Sequence, residues 1–133
     1  MGLACYVTAV TLQPGAELPA TDVVLGTKNP AIVELDPNFG YWYGFDWLHI
    51  WASELYEELQ GTAEDLNEVS VELTADAIAE LDRLFTEKGL IPAHYAIWKD
   101  EPAVASLQAL GEFIPRAKEA LNQGQKLYFS SWY

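Results

Sequence analysis

Few residues of this chain are suited by type to carry chemistry. His49 stands three residues after Asp46, a spacing that puts both on one face of a helix, where a carboxylate can orient an imidazole for general acid–base work. The alternative is a structural histidine packed among aromatic neighbours. No Gly-x-Ser-x-Gly elbow or HExxH is present, and Gly40-Tyr41-Trp42-Tyr43-Gly44 is not a phosphate cradle. The single cysteine, Cys5, falls in an apolar stretch and reads as a small core residue. Ser130 and Ser131 near the end could offer hydroxyls to a ligand, although hydroxyls at strand ends commonly satisfy backbone groups. One cysteine makes no internal disulfide, and no Cys/His cluster has zinc spacing, so no metal and no cofactor is expected. The reading is a protein that is not an enzyme.

The aromatics are a denser signal. Eight of them, Phe39, Tyr41, Trp42, Tyr43, Phe45, Trp47, Trp51 and Tyr56, lie within 18 residues, and Tyr128, Phe129, Trp132 and Tyr133 close the chain. One helix cannot bury so many rings on one face, so some must be exposed or line a cleft. Two readings stay open: an aromatic core, or a pocket built from Trp42, Trp47, His49, Trp51 and Trp132 that sequesters a nucleotide or another small molecule. A groove for stacking nucleic-acid bases is disfavoured, because these rings are interleaved with acids where such grooves need bases.

The 133 residues hold 20 Asp and Glu against 7 Lys and Arg, a formal net charge of −13. That charge is segregated. Between Lys28 and Arg83 there is no Lys or Arg and there are 13 acids, while the rest of the chain is balanced. Such a field repels nucleic acid and anionic membrane and speeds encounters with basic partners. It reads either as a solvated face or as a surface made of Glu54, Glu57, Glu58, Glu64, Asp65 and Glu68 that meets a partner protein with a basic surface. Glu64-Asp65-Leu66-Asn67-Glu68 lacks the alternation and central glycine of a calcium loop.

The elements that must position these residues follow from periodicity. Residues 3–12 read as a strand ended by Gln13-Pro14-Gly15, residues 21–25 and 31–35 as short strands or extended loop, and residues 36–40 as a turn. From Asp46, taken as the N-cap, to Gln60 the pattern turns helical, with Trp47, Trp51 and Leu55 repeating at four. A strand over 68–73 precedes a helix that Thr74 caps and that runs to Lys88. Residues 94–98 suit a strand, and 100–121 a helix that Gly111 and Pro115 should break or kink. Residues 126–132 form a last strand. The sum is one α+β domain over 1–133: a largely antiparallel sheet of four or five strands with two or three helices on one face. No basic-then-apolar leader and no membrane-length apolar run is present, which points to a soluble cytoplasmic protein.

Three segments together resemble a family of small proteins from phages and their bacterial hosts: Met1-Gly2-Leu3 with Tyr6, Gly40-Tyr41-Trp42 before a helix bearing His49 and Trp51, and the ending Leu127-Tyr128-Phe129-Ser130-Ser131-Trp132. Ala4 stands where that family often has an acid, and Tyr43-Gly44 where it has a basic pair. The resemblance implies a phage accessory protein acting in the bacterial cytoplasm. Joined to the segregated charge, it suggests a factor that inhibits or modulates a host protein such as a nucleic-acid-handling defence complex.

Overall fold

The computed structural model describes residues 3–23, 25, 29–62, 69–87 and 101–133, without the side chains of 46–47, 86–87 and 101–107. Seven elements follow in order: β1 (Ala4–Leu12), β2 (Ile32–Tyr43), α1 (Asp46–Glu58), β3 (Ser70–Glu72), α2 (Ala75–Glu87), α3 (Glu101–Asn122) and β4 (Lys126–Trp132). The strands form one antiparallel sheet in the order β2-β1-β4-β3. With its three helices this is an α+β fold. Among the described residues no helix is long and apolar enough to cross a membrane.

β1 is central, and its side chains divide by parity. Cys5, Val7 and Ala9 join Leu127 and Phe129 of β4 and Val71 of β3 beneath the helices, where α1 supplies Leu48, Trp51, Ala52 and Tyr56, α2 supplies Ile78 and Leu81, and α3 supplies Leu110, Phe113, Ile114 and Ala117. The other face carries Val10 and Tyr128, covered at one end by Leu18, Val23 and Leu25 of the connection from β1 to β2. That connection leaves β1 through a turn whose Ala16 N–H donates to Gln13 O at 2.9 Å. Pro14 at its second position and Gly15 at φ +78° are the type II signature.

The structure departs from the sequence expectation in three places. Residues 36–40 do not end a strand: β2 runs through them as a wide bulge, in which Asp36 and Gly40 pair with Ala9 and Val7, and Asn38 N–H donates to Asp36 Oδ1. A bulge on an edge strand accommodates Pro37, which has no N–H to give a ladder. Residues 21–25 take the extended-loop alternative, their described residues making one bridge, Thr21 to Val71. The cap of α1 is Phe45 and not Asp46, with no side-chain bond, and Gly44 at φ +73° turns the chain out of β2. Finally, α3 continues through Pro115. Its buried stripe of Leu110, Phe113, Ile114, Ala117 and Ala120 outweighs the roughly 3 kcal/mol cost of an internal proline. At Gly111 a Cβ would come within 2.9 Å of the Phe85 ring, so the missing side chain lets α2 and α3 approach. The strand expected at 94–98 lies outside the described residues.

Candidate functional site

α1 presents its acids by helical spacing. Glu54 and Glu58, four apart, lie on one side of the helix, and Glu54, Glu57 and Glu58 are all exposed. α2 runs beside it from a cap in which Ala77 N–H donates to Thr74 Oγ1 at 3.2 Å. Between the two helices lies a narrow groove whose floor is Trp51, Leu55 and Ala77 and whose walls are Glu54, Glu58 and Glu80. Among the described residues no Lys or Arg lines it. Glu80 was not among the acids singled out from the sequence, although the exposed polar side of α2 already carried it. Glu64, Asp65 and Glu68 lie outside the described residues.

The aromatics named for a pocket do not all lie on one face of the sheet. Trp42 and Trp51 are buried in the core under the helices, whereas Trp132 is 61% exposed on the other face of the sheet. The side chain of Trp47 is not among those described. Open hollows of about 370 Å³ beside Phe39, Pro115 and Arg116, and about 270 Å³ beside Ile78, Lys118 and Leu121, are lined by none of Trp42, His49, Trp51 or Trp132.

His49 finds its described partner far along the chain. Its Nδ1 lies 2.8 Å from Ser131 Oγ, that oxygen lies 3.8 Å from Cys5 Sγ, and the Tyr133 ring meets the imidazole edge-on at 5.1 Å. The spacing of hydroxyl and imidazole is that of a nucleophile and its base. The burial is not: Ser131 is 1% exposed and Cys5 fully enclosed, so neither is open to solvent. The cluster fastens α1 to β4 and β1. Among the described residues no group of three or more His, Cys, Asp or Glu could hold a metal ion.

A second polar knot ties the β1–β2 connection to the end of α1. Asp22, in the left-handed region at φ +59°, accepts the Tyr56 hydroxyl on Oδ1 and the Thr62 N–H on Oδ2. The Tyr56 hydroxyl holds the Asp22 carboxyl below its ordinary value of 3.8, with Thr62 assisting and partial desolvation opposing. At the covered end of the sheet, burial raises the Tyr128 phenol far above its ordinary range, and the nearby Glu72 carboxylate adds to the effect.

No family model matches the chain, and no curated protein or solved structure matches it either.

Proposed function

We propose that the protein is a binding protein whose acid-bearing α1 and α2 engage a basic surface on a partner protein. The observation that carries this reading is the groove walled by Glu54, Glu58 and Glu80 over an apolar floor of Trp51, Leu55 and Ala77. A Lys or Arg side chain has the matching form, an aliphatic stem for the floor and a cationic head for the carboxylates. The surrounding field, with no Lys or Arg between positions 28 and 83, steers such a partner in. The phage-type resemblance supports a host protein in the bacterial cytoplasm as that partner, one whose basic surface ordinarily meets nucleic acid, with inhibition or modulation as the outcome.

The test is affinity capture from bacterial host lysate at physiological and raised salt, followed by titration of the captured protein. Reversal of Glu54, Glu57 and Glu58 to lysine, with Glu64 and Asp65 reversed in a second variant, should weaken association by about 100-fold or more, since like charges then face each other. Undiminished binding by the reversed variants at physiological salt would overturn the reading.

A further inference from the structure

On the sheet face turned away from the helices, the end left uncovered by the β1–β2 connection carries Tyr6, Tyr41, Tyr43 and Trp132. Cross-strand register sets them side by side: Ala4 pairs with both Tyr43 and Trp132, and Tyr6 with both Tyr41 and Ser130. Tyr41, Tyr43 and Trp132 are each more than half exposed, and the Tyr6 and Tyr41 rings touch at 5.2 Å. The only basic residue of the strands, Lys126, lies at the opposite end of β4 and is paired with Glu72 at 3.4 Å.

β2 is an edge of the sheet, and among the described residues the backbone beneath Tyr41 and Tyr43 has no strand partner on its outer side either. Gly44 N–H donates to Leu3 O at 2.7 Å. By the alternation of an antiparallel ladder, Trp42 then exchanges its bonds with Cys5, while the N–H and C=O groups of Tyr41 and Tyr43 point away from β1. An open edge and an exposed aromatic row therefore coincide over the same residues.

We infer that the Tyr41–Tyr43 edge of β2, with Tyr6 and Trp132, docks an extended cationic segment of a partner protein. The backbone groups of Tyr41 and Tyr43 accept it as an added strand, and Arg or Lys side chains on its alternate positions lie over the ring faces. Charge selects the occupant. A second copy would bring another net charge of −13, and Arg116, the cation that approaches β2 among the described residues, is already committed to Phe39 O and the Phe39 ring, whereas a basic strand gains from both the field and the ring quadrupoles at Tyr41 and Tyr43. The inference deepens the proposed function, resting on its basic partner but placing a second contact on the opposite face from the acid-walled groove.

The probe is a short synthetic peptide alternating arginine and threonine, compared with its glutamate–threonine counterpart and with a version N-methylated on alternate residues. Binding to the full chain is followed by calorimetry and tryptophan fluorescence at physiological salt. The basic peptide is expected to bind, the acidic one not to bind, and N-methylation to weaken affinity about tenfold by blocking the edge bonds. Tyr41→Ala with Tyr43→Ala should weaken it by a similar factor while circular dichroism stays unchanged, and Trp132→Ala should weaken it and abolish the fluorescence response. Equal affinity for the wild type and these variants, indifference to N-methylation, or no binding overturns the inference. So does self-association that the tyrosine variants abolish, which would make a second copy the occupant. Peptide binding lost on reversal of Glu54, Glu58 and Glu80 but kept in the tyrosine variants overturns the inference while leaving the proposed function standing. The opposite pattern supports the inference and counts against the groove.

Discussion

Trp42 and Trp132 lie on strands that flank β1 on either side, yet they meet opposite environments. Trp42 turns under the helices, edge-on to Phe113 at 5.1 Å, and packs so closely over its own strand that a Cβ at Gly40 would come within 2.9 Å of its ring. Its indole N–H is buried with no hydrogen-bond partner, so the inner face keeps the ring at the expense of an unmet donor. Trp132 projects from the other face, 61% exposed, among tyrosines whose hydroxyl tips suit a wet surface. One aromatic-rich composition thus serves two purposes, cohesion inside and contact outside, and strand parity alone decides which ring does which.

The sharpest way to break that comparison is to truncate one ring on each face. Phe129→Ala removes a fully buried core ring and should cost about 3–5 kcal/mol in urea unfolding. Trp132→Ala should cost less than about 1 kcal/mol, the scale of a cross-strand contact. A Trp132→Ala loss as large as that of Phe129→Ala would show that the outer rings hold the fold together, and would remove the reason for reading them as a contact surface.

That contrast also marks what the sequence could show. The strands β1 and β4 were legible as apolar, β-branched or aromatic runs bounded by turn residues, and the helices α1 and α2 by a helical period. β2 was not: Pro37, Asn38 and Gly40 carry turn chemistry, and only pairing with a long central strand draws them into one edge strand with a bulge. α3 was legible in extent but not in continuity, since burial of its stripe overrides Pro115. At the site, the exposure of Glu54, Glu57 and Glu58 followed from spacing along one helix. The contact between His49 and Ser131 spans 82 positions and no local pattern encodes it. Separation of Trp42 from Trp132 depends on register across β1, which composition does not fix.

An intermediate effect belongs to the boundary between the covered and open ends of the outer face. Tyr128 hydroxyl donates to Pro19 O at 2.9 Å and thereby holds the β1–β2 connection down on the sheet. Tyr128→Phe should cost about 1 kcal/mol, with faster amide exchange in residues 16–23 and unchanged exchange in α3. Uniform acceleration throughout the chain would mean that the covered end is part of the global core and not a separate strap.

The smallest effect is confined to acid and isolates the knot that joins this strap to α1. Asp22 is held below its ordinary 3.8 in the folded chain, chiefly by the Tyr56 hydroxyl. A carboxyl with a depressed folded value binds protons more readily when unfolded, so it contributes stability above its unfolded value and loses it as pH falls through the folded one. Above pH 5 that contribution is complete; below about pH 4 it declines. Asp22→Asn should therefore lower the melting temperature near neutrality, and the difference from the wild type should shrink on acidification until the curves converge. A gap that keeps the same size from neutral pH into acid would mean that the loss lies in hydrogen-bond geometry, where an amide nitrogen replaces an oxygen that accepts the Tyr56 hydroxyl or the Thr62 N–H, and not in the charge of Asp22.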